Sequence, residues 1–403
     1  MRDFRLLWTG GLMTHISDWM DQVTLSWLVL EITGSPVLVG LLHGCRFLPL
    51  LVFGLWGGVL ADRFDRKTLL IRTQMASLLV TLGLATVAFQ ESPNVVLVFI
   101  FAIARGSLLS FDRPSRHALM PALVPKPLLM NAVALSSASH NISRVIGPAL
   151  AGVLIAVMGV SWCILLTGLI FIPNLIALFA MRVPPLVAHA KRESQDGGIL
   201  EALQYARQES SVAAVLGTTM LLLILVVPHH SMLPVFARDV LLVGPAEFGA
   251  LNAAAGIGSL VGTMSVAWLG QAAIRGTVMI GGALAYAVAV IGFSVSSWYP
   301  VAVVLLMITG ACSQMFFTTS TAVLQTIVPD RLRGRIMSIY LLDRAVMPIG
   351  SVIAGAIAAA WGAPLALGLL AGIGIVAILL VAALVPALRA IGTDSRTTPV
   401  LHS

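Results

Sequence analysis

The sequence predicts an all-α membrane protein: twelve transmembrane helices in two six-helix bundles, with both termini cytoplasmic. Three observations carry this reading. Hydrophobic residues make up 58% of the 403 positions and charged residues only 10%, against roughly 45–50% and about 25% in an ordinary soluble domain. Apolar runs of about 20 residues, each enough to cross roughly 30 Å of hydrocarbon, follow one another from end to end. The charges between those runs fall almost entirely on one side.

In chain order, spans are predicted at 6–31, 36–61, 68–90, 94–111, 130–158 and 161–181, then at 211–237, 246–270, 276–297, 299–322, 335–360 and 363–388. Met1-Arg2-Asp3-Phe4-Arg5 enters the first span without a small-residue cleavage site, so that helix is expected to act as its own insertion signal. With loops assigned to alternate sides, 19 of 24 basic residues lie on the side of the termini and Arg238 stands alone opposite. Positively charged loops stay in the cytoplasm during insertion, which sets the orientation. The formal charge of +7 is thus a topology signal. It does not indicate nucleic acid, because no solvated recognition element accompanies it.

The one long polar stretch between spans lies near the midpoint and carries Pro184-Pro185, Lys191-Arg192 and Gly197-Gly198. Ile199, Leu200, Leu203, Tyr205 and Ala206 alternate there with Glu201, Gln204, Arg207 and Gln208, the pattern of a short amphipathic helix at the membrane surface. The expected division is 1–182 and 211–390 for the two bundles, 183–210 for the linker and 391–403 for a cytoplasmic tail. The halves also match internally. Val124-Pro125 corresponds to Val328-Pro329, Gly147 to Gly350, and Ala151-Gly152 to Ala354-Gly355, as in proteins built from parallel repeats.

Seven charges sit deep inside predicted spans, away from their ends: Asp18, Asp21, Arg46, Arg105, Arg144, Asp343 and Arg344. Each costs roughly 2.5–3.5 kcal/mol at the bilayer centre, so they are expected to face a water-filled interior or to pair. Asp18 and Asp21, three apart, share a helix face. Either their mutual approach raises a pKa and lets one exchange a proton, or Arg46 and Arg105 hold both ionised. Asp343 and Arg344 are adjacent and point to different faces, which favours structural pairing. The cysteines Cys45, Cys163 and Cys312 fall within spans at spacings that suit neither zinc nor a redox pair. No metal or cofactor is expected, and His229-His230 reads as a pair of ordinary span histidines.

Between the second and third spans runs Gly57-Gly58-Val59-Leu60-Ala61-Asp62-Arg63-Phe64-Asp65-Arg66-Lys67. This segment resembles the loop signature of the major facilitator superfamily, with Asp65 where glycine is usual. In that form it is similar to a branch of bacterial enterobactin, macrolide and tetracycline exporters. Ser143-Arg144-Val145-Ile146-Gly147-Pro148-Ala149-Leu150-Ala151-Gly152 is similar to the glycine-proline motif of drug antiporters, with Ser143 replacing its first glycine. Arg105 resembles the membrane arginine of a second antiporter motif, and Asp18 the acidic position of the branch's first span.

The resemblance implies alternating access around a central cavity lined by helices one, four, seven and ten. It implies a proton-coupled exporter of a small amphiphilic molecule, working as a monomer in the bacterial cytoplasmic membrane, with gradient-driven uptake as the alternative. The loop would then be a conformational latch made by Gly58, Asp62, Arg63, Asp65, Arg66 and Lys67, with Asp112 or Asp330 as partners. Its other reading is a topology signal alone. An enzyme is not expected, since no nucleophile elbow, metalloprotease helix or phosphate-binding loop occurs.

Overall fold

The computed structural model describes residues 2–63, 65–183, 199–270, 272, 275–342 and 346–392. Asp343 and Arg344, most of the linker and the tail lie outside that set, as do the side chains of Asp62 and Arg63. The first half comprises α1 (Arg2–Thr33), α2 (Pro36–Arg63), α3 (Arg66–Ala88), α4 (Val95–Leu123), α5 (Leu129–Met158), α6 (Val160–Leu169) and α7 (Phe171–Ala180). The linker helix is α8 (Ile199–Gln208). The second half begins with α9 (Ser210–Leu225), α10 (His229–Asp239), α11 (Pro245–Leu269) and α12 (Gly276–Ser294). It continues with α13 (Tyr299–Ile327), α14 (Asp330–Leu342), α15 (Met347–Trp361), α16 (Ala363–Leu384) and α17 (Pro386–Ala390).

Among the described residues every regular element is helical, and nine helical stretches are long and apolar enough to cross a membrane. Among the described residues two predicted spans are interrupted. The sixth is α6 and α7, meeting at Ile170. The seventh breaks over 226–228, where Pro228 has no amide hydrogen to continue the ladder. The fourth, predicted to stop at 111, runs on to Leu123.

Local sequence explains the boundaries. Asn94 caps α4, its side chain accepting from Val96 N at 2.9 Å. Gly159 and Gly362 sit between α5 and α6 and between α15 and α16 with φ of 88° and 86°, a backbone region that glycine enters without steric cost. These two glycines are 203 positions apart, the same offset that relates Gly147 to Gly350.

The two halves meet along a seam in which α2 packs on α15 and α5 on α11. The backbones touch through glycine. A Cβ on Gly152 would lie 2.7 Å from Gly249 Cα, and one on Gly355 would lie 2.7 Å from Pro36 O. Gly40 abuts the Ser351 backbone in the same way, and Gly44 lies against Pro348. Near the end away from the termini, Trp27 stacks on Phe248 at 5.5 Å and Arg238 Nη1 donates to Leu30 O at 2.9 Å. Among the described residues these contacts run from mid-bundle to this far end. At the end bearing the termini, α5 shows Met130, Val133 and Leu135 exposed.

The linker helix belongs to the second half. Ala202 and Ala206 are buried, and Glu201 is held by both Arg331 and Arg335 of α14, the latter at 2.8 Å.

Candidate functional site

Helix α1 carries two carboxylates at mid-length, Asp18 and Asp21, and each meets its own arginine. Asp18 Oδ1 is 2.5 Å from Arg105 Nη2 of α4, while Asp21 pairs with Arg46 of α2. Both arginines are further fixed. Arg105 Nη1 donates to Ser77 Oγ at 3.1 Å, and its guanidinium lies over the Phe171 ring at 4.8 Å. Arg46 Nη2 donates to the Asp18 carbonyl at 3.3 Å, which ties the two pairs together. The pairs differ in access. The Asp21 side chain is 3% exposed and the Asp18 side chain 13%. Sequence spacing placed both acids on one helix face; packing sorted them between two partners.

About one turn towards the termini lies a second polar layer that sequence reasoning missed. Gln74 Nε2 donates to Asp112, Asn174 Nδ2 donates to Gln74 Oε1 at 2.8 Å and to Thr14 Oγ1 at 3.0 Å, and Arg116 Nε approaches Asp112 at 3.6 Å. This layer links α1, α3, α4 and α7. Its available signal was three uncharged polar residues, Thr14, Gln74 and Asn174, in otherwise apolar spans. Asp112 is thereby placed inside the bundle, 4% exposed, and not at the loop.

The loop residues likewise find partners other than those expected. Arg66 Nη1 donates to Ala118 O at 2.8 Å, and Lys67 Nζ to Met181 O at 2.6 Å. Lys67 thus sits where the C-terminal carbonyls of α7 favour a cation. Asp330 pairs with Arg333, three residues on along α14, at 2.5 Å. Arg66 and Lys67 reach these carbonyls because both lie on the first turn of α3, which packs on α4 and α7.

Asp65 caps α3. Its Oδ2 accepts from Thr68 N at 2.8 Å and from Thr68 Oγ1 at 2.6 Å. The Thr68 hydroxyl, the Thr68 amide and the Lys67 charge hold its carboxyl below the usual 3.8, against a smaller desolvation effect. Asp65→Ala is expected to cost about 1 kcal/mol, in the range of lost N-caps, seen as faster amide exchange in the first turn of α3. A depressed folded pKa means the ionised cap is fully present above the unfolded value near 3.8 and is lost as pH falls through the lower folded one.

Arg144 spans the seam. Its guanidinium lies 5.6 Å from the Trp19 ring of α1, and Nη1 is 3.5 Å from Gln314 Oε1 of α13. Gly147 lets α5 approach α1, since a Cβ there would fall 2.6 Å from Trp19 Cβ. Pro148 and Gly152 form the α11 contact. Among the described residues no group of three potential ligands could hold a metal.

A helical bundle with internal ion pairs, a glycine-lined seam and two repeated halves defines a membrane transporter of the major facilitator type. The profile of the transmembrane secretion effector family matches residues 1–401, and the chain belongs to that family. It is 27% identical over 355 residues to the staphyloferrin A transporter of Staphylococcus aureus, covering 87% of this chain and 88% of that one. It is 24% identical to macrolide efflux protein A of Streptococcus pyogenes, over 87% of this chain and 88% of the relative. It is 28% identical to the enterobactin exporter EntS of Citrobacter koseri, over 91% and 82%. The fold matches the nucleoside transporter NupG with a TM-score of 0.78 at 12% identity, over 95% of this chain and 99% of that one. A bacterial homolog of the human lysosomal transporter Spinster, in an inward-facing form, matches with 0.73 at 16% identity, over 98% and 96%.

Proposed function

We propose that this transporter exports a small amphiphilic molecule, drug-like or siderophore-like, across the bacterial cytoplasmic membrane in exchange for protons. The observation that carries the proposal is the Asp18–Arg105 pair: a carboxylate at mid-helix, the less buried of two, held by a cation that a proton can replace. The character of the relatives supports export. The one-sided loop charge supports twelve crossings with both termini cytoplasmic. In that orientation the glycine contacts of the seam lie toward the outside.

The cycle follows from these parts. Substrate enters between the halves from the cytoplasm, the seam parts, and substrate leaves outward while a proton takes its place on an α1 carboxylate. Protonating Asp18 releases Arg105, and the return stroke delivers the proton inward. One charge moved through 100 mV supplies roughly 2.3 kcal/mol, enough for a concentration ratio of about fifty. The loop from Gly58 to Lys67 serves in this reading as the latch of the other state, with Asp62 closing the end of α2.

Inverted membrane vesicles loaded with macrolide, tetracycline, ethidium and enterobactin panels test this directly. Wild-type accumulation of at least one compound is expected to collapse with a protonophore, and Asp18→Asn to lower it at least tenfold. Accumulation indifferent to the protonophore would overturn proton coupling, and normal concentration by Asp18→Asn would return that carboxylate to a structural role.

A further inference from the structure

We propose that a cleft between α1, α4 and α5, at the end of the bundle that bears the termini, is an entry subsite for a carboxylate on the substrate, with Arg116 as the residue that reads it. This inference rests on the export reading above and narrows its cargo to an anionic amphiphile.

A small cavity of about 20 Å³ lies between these helices, lined by apolar Phe4, Trp8 and Met120 together with His15, Arg116 and Ser136. That is room for one small polar group, so the cavity takes a headgroup while the body of an amphiphile stays outside it. No acidic side chain is among its walls. The Trp8 indole ties the cleft together, Nε1 donating to Leu135 O of α5 at 2.9 Å.

Arg116 is 7% exposed and stands at the cavity wall with donors to spare. Leu7 and Gly11 both border the cavity. Arg116 Nη1 is 3.4 Å from Leu7 O, and a Cβ on Gly11 would lie 3.2 Å from the same nitrogen. Nη2 reaches Thr14 Oγ1 only at 3.4 Å, and Nε has no hydrogen-bond partner among the described residues. Asp112 stands 3.6 Å from Nε, beyond hydrogen-bond reach, and accepts from Gln74 instead. A guanidinium carries five N–H donors, and buried donors left without partners are costly. A carboxylate entering the cavity supplies the acceptor pair that such a fork matches. An ammonium in the same place would meet Arg116 and His15 with no acid among the walls.

Basic and aromatic groups continue from the cavity to the seam. The exposed ring of His140 stands edge-on to His15 at 5.2 Å, and Trp19 lies 6.4 Å from His140. Arg144 follows at 5.6 Å from Trp19, within 3.5 Å of Gln314 in the other half. An anion taken up at Arg116 therefore has a second cation ahead of it where the halves meet.

The test uses the full chain in phosphatidylcholine nanodiscs without a proton gradient. It compares binding of tritiated naphthoate with that of naphthylmethylamine, a similar ring carrying a cation. Naphthoate is expected to bind at least tenfold more tightly. Arg116→Gln should weaken naphthoate at least tenfold, and Arg116→Lys should recover only part of the loss, since lysine keeps the charge but not the fork. Because Arg116 also steadies Asp112, Ser136→Leu provides a second variant. It fills the cavity from α5, leaves the Arg116–Asp112 contact in place, and should weaken naphthoate to the same degree. Equal affinity for the two probes, no naphthoate binding by the unmodified chain, or unchanged binding in Ser136→Leu would overturn the assignment. Full displacement of naphthoate by phosphatidylglycerol in the disc would also overturn it, by marking a lipid-headgroup site. Failure of the export reading shows separately, as vesicles that accumulate no compound while naphthoate still binds.

Discussion

Replacing Arg46 by methionine is expected to destabilise the first half by about 3–5 kcal/mol, because it strands the Asp21 carboxylate without its counter-charge. Both partners are nearly inaccessible, with side chains 5% and 3% exposed, so water cannot substitute for the guanidinium. Asymmetry between breaking and replacing a buried pair makes the prediction specific. Arg46→Met with Asp21→Leu removes both charges together and is expected to recover most of the loss, because desolvation of two ions is avoided along with their attraction. The measurement is the denaturation midpoint in detergent for the single and double variants, alongside transport. Restored stability with no transport would separate the pair's function from its packing. A single variant as stable as the unmodified chain would mean that Asp21 finds another partner.

Gly249→Val is expected to abolish transport while leaving both halves folded. A Cβ at this position would stand 2.5 Å from Pro148 O and 2.7 Å from Gly152 Cα, distances that real Cβ atoms essentially never show. These neighbours are backbone, so no side-chain rotation relieves the clash, and α5 and α11 must separate. A cysteine replacing Ser351, which is fully buried against Gly40, reports the result. It should resist a membrane-impermeant thiol reagent added outside in the parent chain and react readily when Gly249→Val is present. Equal protection in both would show that the seam tolerates the added methyl groups.

Much of the architecture was legible because bilayer insertion writes itself into composition. Apolar length and one-sided loop charge marked the helices, and the glycine matches between halves marked structurally equivalent positions. Gly147 lies against α1 and Gly350 against α9 and Pro228, while Gly152 and Gly355 both form the seam. The interruptions were less visible. Hydropathy is continuous through 226–228, and only Pro228 hinted that α9 and α10 are separate. The end of α4 was misplaced because Asp112 and Arg116 read as loop charges, whereas they satisfy each other and Gln74 within the bundle. Pairing of the α1 acids was one of two readings left open by spacing. Which arginine serves which acid depends on how α2 and α4 flank α1, and that is a property of packing that helical periodicity does not encode.

The seam has the form of an isologous interface. The second span of the first half, α2, meets α15, which belongs to the fifth span of the second, and the fifth, α5, meets α11, the second span of its own half. Each half therefore offers one patch, and the same patch receives it, as in a twofold-symmetric homodimer. With α8 bound to α14, the covalent connection between the halves reduces to the segment between Val183 and Ile199. Such a tether raises the effective concentration of one half near the other and keeps them at equal stoichiometry, while recognition resides in the glycine faces. The chain is in this sense a dimer written as one polypeptide.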